Sequence, residues 1–157
     1  MAEPSSHSEQ KFFGRFEVPV EESGRFLLPF KWRLEMPEAK FGLIVWPIKA
    51  STHLLGLPSW LWDKFLKHLI DDPPEEEVMF HCERAIGEGA DEVELDKIGR
   101  ITVRKELLER VGVKKECVLI GRVSKWELWS PERYREIGKI SEEDTGTAAS
   151  HYKKLRL

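Results

Sequence analysis

Two of the Gly-Arg pairs in this chain share one pattern, in which an acidic residue stands three positions before the glycine. Glu21 precedes Gly24-Arg25, and Asp96 precedes Gly99-Arg100 75 positions further along. An arginine at the tip of a turn can contact a phosphate, or bind guanine through two parallel hydrogen bonds. It can equally form an ion pair with the acid four residues earlier and hold the turn together. Spacing alone favours the ion pair, and the two roles coexist where the acid orients the arginine.

Other basic residues stand close to the two turns in the sequence. Lys97 lies inside the second turn, where it is exposed and can reach a phosphate. Arg104 follows the second return strand and adds positive charge near the same turn. The remaining basic residues after the return strands are more often simply solvated: Lys31, Arg33 and Lys105. The candidate nucleic-acid contacts are Arg25, Arg100, Lys97 and Arg104, with Glu21, Asp96, Gly24 and Gly99 orienting the turns.

No pattern in the sequence points to catalysis, a cofactor or a metal. The Gly-rich Lys-Ser/Thr loop of nucleotide-binding proteins and the Gly-x-Ser-x-Gly turn of hydrolases are both absent. His81-Cys82-Glu83 combines three metal-ligand residue types, but consecutive helical residues point in different directions and cannot converge on one ion. The acidic residues within 71–77 lack the spacing and the glycine of a calcium loop. We therefore expect a protein without enzymatic activity.

The bulk composition limits the classes of partner. The chain has 157 residues, a formal net charge of −3 and 34% charged residues, which is typical of a globular protein. Nucleic-acid binding by an acidic chain must come from local basic loops or from many copies acting together. No apolar run approaches the roughly 20 residues that cross a bilayer, and the polar N-terminus lacks a signal sequence. With Cys82 and Cys117 expected as reduced thiols, the sequence predicts a cytoplasmic protein without a membrane partner.

The duplicated turn belongs to a longer repeat of predicted elements. Each half reads strand, Gly-Arg turn, strand, short helix, hairpin and helix, by the periodicity of its apolar residues. In the first half the strands are predicted at 12–20, 26–28, 43–46 and 53–57, with helices at 30–34 and 59–70. In the second half the strands are predicted at 92–95, 101–103, 117–120 and 126–129, with helices at 105–110 and 131–137. A further helix is predicted at 75–86, after the acidic linker.

These elements predict an α+β protein of two pseudo-symmetric, β-rich halves that pack together with bridging helices. Four short strands and a small helix bury little surface, so neither half is expected to be stable alone. The predicted divisions are a disordered tail 1–10, a first repeat 11–72, a bridging linker and helix 73–90, a second repeat 91–137 and a flexible tail 138–157. The tryptophans are expected in the core or at subunit interfaces rather than as a base-stacking platform: Trp46, Trp60, Trp62, Trp126 and Trp129.

The two copies of the turn, taken with the segments that follow them, resemble the MraZ family of bacterial transcriptional regulators. The matching segments are Glu94 to Ile101, Val118 to Gly121 and Trp126 to Ser130 in the second half, with Gly24 to Pro29 and Arg33 in the first. Glu21 replaces the aspartate that is usual in the family, and Arg104 replaces the usual proline. The second turn is thus expected to be the better DNA contact.

The resemblance implies two AbrB-like halves of the swapped-hairpin type in one chain. It also implies a homo-oligomeric ring whose acid-x-x-Gly-Arg loops face double-stranded DNA, associated with the nucleoid. Members of the family bind direct repeats upstream of their own gene, in the cluster for cell division and cell-wall synthesis. The alternative is an oligomeric interaction or scaffold module of the same fold that has lost DNA binding.

Overall fold

The structure is a computed structural model that describes residues 11–33, 40–48 and 51–156. Its elements in chain order are β1 (Arg15–Pro19), β2 (Arg25–Leu27), α1 (Phe30–Arg33), β3 (Lys40–Ile48), β4 (Ser51–Pro58), α2 (Ser59–Asp71), α3 (Glu76–Gly89), β5 (Ala90–Glu94), β6 (Arg100–Thr102), α4 (Lys105–Arg110), β7 (Glu116–Gly121), β8 (Trp126–Trp129), α5 (Pro131–Arg133) with a π-helical turn at Tyr134–Gly138, and α6 (Glu142–Lys154). The predicted α+β class is confirmed. The tail predicted at 1–10 lies outside the described residues.

A six-stranded sheet joins the two halves of the chain. Its strand order is β1-β7-β8-β4-β3-β5, and β4 and β8 pair antiparallel at its centre. β1 of the first half pairs with β7 of the second, while β5 of the second half pairs with β3 of the first. Each half therefore gives one strand to the other, which is the exchange expected of a swapped hairpin. The halves cannot separate without breaking this sheet.

A second sheet has only two strands, one from each Gly-Arg repeat. β2 and β6 pair antiparallel, and Phe26 faces Ile101 at the middle of the register. Both side chains are fully buried. Because Phe26 and Ile101 stand at equivalent places in the two repeats, the pseudo-twofold axis passes between them. The two turns that begin these strands consequently lie on opposite sides of one axis.

The main core lies between the two sheets and is centred on Trp126. The ring of Trp126 contacts the rings of Phe26, Trp32 and Phe41, with centroid distances of 6.2, 6.3 and 5.5 Å. Gly56 permits this arrangement, because a Cβ at that position would collide with the indole of Trp126. Trp62, Trp126 and Trp129 are buried, as expected, whereas Trp46 and Trp60 keep part of their surface exposed.

The helices α2 and α3 cover part of the opposite face of the large sheet. Trp62 packs over Gly42 on β3, and its indole nitrogen donates a 2.9 Å hydrogen bond to Glu92 on β5. The second apolar cluster forms around this contact and includes Ile44, Leu55, Leu57 and Trp62. In the part of the chain that the structure describes, no helix is long and apolar enough to cross a bilayer.

The C-terminal segment differs from the sequence prediction. The sequence predicts a flexible, aperiodic tail over 138–157, but the structure has the helix α6 there. Ser141 and Asp144 form a reciprocal capping box, in which each side chain accepts the backbone N–H of the other residue at 3.0 Å. The helix buries none of its residues. Its sequence therefore lacks the apolar periodicity on which the prediction depended, and only the capping residues signal it.

Candidate nucleic-acid interface

The second Gly-Arg turn is built around the carboxylate of Asp96. Its Oδ1 atom accepts the backbone N–H groups of Ile98, Gly99 and Arg100 at 2.9, 2.9 and 2.8 Å. Its Oδ2 atom accepts the Nε–H of Arg100 at 2.9 Å. Aspartate is short enough to cap its own turn in this way. Gly99 has a φ of +102°, which a residue with a Cβ adopts only under strain.

These contacts stabilise the charged form of the carboxyl group. The backbone hydrogen bond from Arg100 is the largest cause, with further contributions from the Arg100 side chain and from the amides of Ile98 and Gly99. Together they lower the pKa of Asp96 from 3.8 to about 2. The turn is thus fixed by an ionised carboxylate over the whole physiological pH range.

The first turn has the same backbone but a weaker side-chain network. Gly24 has a φ of +92°, and its N–H donates to the carbonyl of Glu21 at 2.8 Å. Glu21 accepts a 3.0 Å hydrogen bond from Nη2 of Arg25. No backbone amide among the described residues donates to the Glu21 carboxylate, because its longer side chain reaches past the turn. The ion pair predicted from spacing is therefore present in both copies.

The two turns are linked across the pseudo-twofold axis. The N–H of Val103 donates to the carbonyl of Gly24, and the N–H of Leu28 donates to that of Gly99, both at 3.0 Å. Nη1 of Arg100 also lies 3.8 Å from the carboxylate of Glu21. Glu21 therefore faces the arginines of both turns. One electrostatic cluster is formed by Glu21, Arg25, Asp96 and Arg100.

The cluster has two acids and two arginines, and Glu21 and Asp96 keep 46% and 38% of their side-chain surface exposed. Arg25 and Arg100 keep 39% and 27% of their side-chain surface exposed, and Lys97 is exposed without an ion pair to any described residue. A guanidinium has five N–H groups, and the internal hydrogen bonds use one nitrogen of each arginine. Nε of Arg25 is buried, and Nη1 of Arg100 faces Glu21 at 3.8 Å. The other N–H groups are the ones that a phosphate or a base edge could accept.

Arg33 belongs to this site, although its position in the sequence is more typical of a solvated surface charge. Its Nε–H donates to the carbonyl of Leu28 at 2.8 Å, and its Nη1 donates to the carbonyl of Ile98 at 2.9 Å. Its side chain also covers Gly99, where a Cβ would collide with it. Arg33 thus connects the end of the first repeat to the second turn. Its sequence position signals only proximity to the first turn, so this contact was not predictable.

Arg104 lies elsewhere. Its Nη2 donates to the carbonyls of Glu88 and Ala90 at 3.3 and 3.1 Å, where α3 ends and β5 begins. Its Nε lies 3.9 Å from a carboxylate oxygen of both Asp91 and Glu106. The guanidinium therefore serves the end of α3, where unpaired helix carbonyls favour a cation. Of the four predicted contacts, the structure brings Arg25, Lys97 and Arg100 together at the turns, while Arg104 has this separate set of partners.

Metal chemistry finds no support in the described part of the chain. No group of three or more His, Cys, Asp or Glu side chains there is placed to hold an ion. Burial is the main cause that raises the pKa of the Cys117 thiol to about 12, and a thiol in this state is a poor nucleophile and ligand.

The fold and the paired turns define an α+β protein of the swapped-hairpin type with a duplicated acid-x-x-Gly-Arg loop. The sequence profile of a family described as "MraZ protein, putative antitoxin-like" matches residues 86–155. A protein of Treponema denticola named transcriptional regulator MraZ is 30% identical over 143 residues, which cover 87% of this chain and 93% of that protein. The chain belongs to the MraZ family.

Two further proteins of the same name give similar matches. The one from Corynebacterium urealyticum is 31% identical over 149 residues, covering 85% of this chain and 90% of its own length. The one from Nitrosomonas europaea is 32% identical over 123 residues, with 78% and 83% covered. The alignment with the Treponema denticola protein covers 87% of this chain and so includes the first Gly-Arg turn as well as the segment matched by the profile.

Proposed function

We propose that the chain is a transcriptional regulator that binds double-stranded DNA through the paired Gly-Arg turns. The observation that carries the proposal is the network of Asp96, whose hydrogen bonds hold the backbone and side chain of Arg100 in one orientation. A guanidinium fixed before binding loses less conformational entropy when it meets a phosphate or a guanine. The names of the relatives, all transcriptional regulators, support the same function.

The two turns contribute unequally in this proposal. The second turn carries Lys97 and Arg100, and two of the four hydrogen bonds that Asp96 accepts come from Arg100 itself. The first turn offers Arg25, but it carries no lysine, and among the described residues no backbone amide fixes the carboxylate of Glu21 that pairs with Arg25. Arg104 acts only through its long-range charge, since its guanidinium is held at the end of α3. The main DNA contacts are therefore Arg100 and Lys97, with Arg25 secondary.

The proposed active form is a homo-oligomeric ring. A chain with a net charge of −3 and a few basic groups at its loops binds a single site weakly. Several linked copies on successive sites gain affinity through effective concentration, on the order of 100- to 10,000-fold. Direct DNA repeats upstream of the chain's own gene, ahead of genes for cell division and cell-wall synthesis, are the sites this assembly would occupy on the nucleoid.

A mobility-shift assay tests the proposal directly. The full chain is titrated at low salt against DNA from upstream of its own gene, and against the same DNA with its direct repeats scrambled. The proposal expects retardation of the native fragment at a lower protein concentration than the scrambled one. Equal retardation of both fragments would contradict sequence-specific binding.

The alternative is a scaffold module of the same fold without DNA binding. The position of Glu21 favours it, because this carboxylate lies 3.0 Å from Arg25 and 3.8 Å from Arg100 and lowers the positive potential at both turns. If a well-folded oligomer did not shift the mobility of the upstream DNA even at low salt, this would support the alternative and contradict the proposed DNA-binding function.

A further inference from the structure

An apolar groove remains open on the face of the large sheet that carries α2. It has a volume of about 330 Å³ and runs between this helix and the strands β3 and β4. Its apolar walls are formed by Ile44, Trp46, Leu55, Leu57, Leu61 and Phe65. A mostly apolar groove of this volume is within the size range of binding sites.

The rim of the groove is basic. Lys64, His68, Arg122 and Lys125 border it. Arg122 pairs with the mostly buried Glu127 at 3.1 Å, whereas no carboxylate of the described residues lies within 4.0 Å of Lys64 or Lys125. Partial burial, together with the nearby charge of Arg122, lowers the pKa of Lys125. A negative partner would relieve this repulsion, so the groove favours an occupant that is both apolar and acidic.

The same chain carries a surface with those properties. The elbow, defined as residues 70–80, connects α2 to α3 and lies at the surface. Three of its large apolar side chains are exposed: Ile70 by 68%, Val78 by 48% and Phe80 by 53%. Five acidic residues surround them: Asp71, Asp72, Glu75, Glu76 and Glu77. None of the side chains that line the groove comes from the elbow, so the elbow does not fill its own groove.

We propose that the elbow of one copy docks in the groove of the next copy. The proposal rests on the oligomer of the proposed function and identifies its contact. One interface then accounts for two apolar surfaces that the isolated chain leaves exposed, and their opposite charges fix the direction of docking. Because groove and elbow are different surfaces, each chain has one of each. Such head-to-tail contacts build an assembly of more than two copies, which closes into a ring when the rotation permits.

Two charge-reversed variants of the full chain test this contact. The groove variant carries Lys64→Glu and Lys125→Glu, and the elbow variant carries Glu76→Lys and Glu77→Lys. A control with Lys114→Glu and Lys115→Glu repeats the charge change of the groove variant at two exposed positions that do not border the groove. Circular dichroism verifies the fold of each variant, and Phe80→Ser provides a second elbow variant without a charge change.

Native mass spectrometry and light scattering then give the subunit number. We expect more than two copies for the wild type and for the control. The groove and elbow variants should need at least roughly tenfold more protein to assemble. Mixed together, they should assemble again at a one-to-one ratio, because one intact groove meets one intact elbow and the two reversed surfaces again carry opposite charges.

The outcomes separate this contact from the proposed function. Variants that assemble like the wild type, or a mixture that stays monomeric, would overturn the contact while leaving a ring with another interface. A wild-type dimer would overturn head-to-tail docking in favour of a twofold contact. A wild-type monomer would contradict the proposed oligomer. Whether that monomer binds DNA is measured independently by the mobility-shift assay.

Discussion

Asp96 holds Arg100 from two directions, through the backbone amide at 2.8 Å and through Nε at 2.9 Å. The carboxylate of Glu21, its counterpart in the first repeat, accepts a hydrogen bond in its own turn only from the side chain of Arg25, at 3.0 Å. The two acids occupy equivalent positions but have different effects. Asp96 determines the shape of its turn, whereas Glu21 mainly adds negative charge beside two arginines.

Removal of the two acids should change DNA affinity in opposite directions. Asp96→Ala deletes a negative charge, yet we expect it to weaken binding by roughly fivefold, because Arg100 loses its fixed orientation. Glu21→Ala should strengthen binding at low salt by about two- to fivefold, because the arginines lose a competing carboxylate. Fluorescence anisotropy with labelled upstream DNA measures both effects. Equal strengthening by the two variants would show that Asp96 acts only through its charge.

The turn at Asp96 should respond to acid at an unusually low pH. The folded-state pKa of Asp96, about 2, lies below the ordinary aspartate value of 3.8. The carboxylate therefore stabilises the folded turn at any pH above about 3.8, and this contribution disappears as the pH falls towards 2. Carboxyl chemical shifts in an NMR titration should give a midpoint near 2 for Asp96. A midpoint near 3.8 would mean that the hydrogen bonds to Oδ1 are not formed in solution.

Alanine at the two turn glycines should destabilise the fold to different extents. Both positions have a positive φ, but a Cβ at Gly24 meets the backbone carbonyl of Val103, whereas one at Gly99 meets the Arg33 side chain. We expect Gly24→Ala to lower the free energy of unfolding by about 2–4 kcal/mol and Gly99→Ala by about 1–2 kcal/mol, measured by urea denaturation.

The Arg33→Ala background provides the control for this comparison. In this background Gly99→Ala should lower the free energy of unfolding by less, because the colliding side chain is gone. The loss caused by Gly24→Ala should be unchanged. If Arg33→Ala left both losses of unfolding free energy unchanged, the collision with Arg33 would not be the reason that Gly99→Ala destabilises the protein.

The repeated Gly-Arg turn was sufficient to predict two related β-rich halves and both acid–arginine pairs, because these depend on local spacing. The exchange of strands between the halves was implied only by the resemblance to the MraZ family. The contacts of Arg33 and Arg104 were not predictable, because each joins segments whose proximity arises only after the strands exchange. Arg33 reaches the carbonyl of Ile98, 65 positions away, and Arg104 reaches the end of α3.

The helix α6 was missed for a different reason. It has no buried face, so its sequence carries no apolar period, and the Ser141–Asp144 capping box is a short signal. The elbow and the groove could not be predicted either, since a sequence does not show which apolar side chains remain uncovered.

The central claim is that Arg100 contacts DNA, and the salt dependence of binding tests it most directly. Binding of the upstream DNA should be measured for the wild type, Arg100→Ala and the matched control Arg104→Ala, which removes the same charge at the end of α3. Each lost phosphate contact flattens the plot of log affinity against log salt by about 0.9. Arg100→Ala should weaken binding by roughly tenfold and flatten the slope by about one per engaged subunit, while Arg104→Ala keeps a nearly wild-type slope. A folded, oligomeric Arg100→Ala protein with wild-type affinity and slope would contradict the claim.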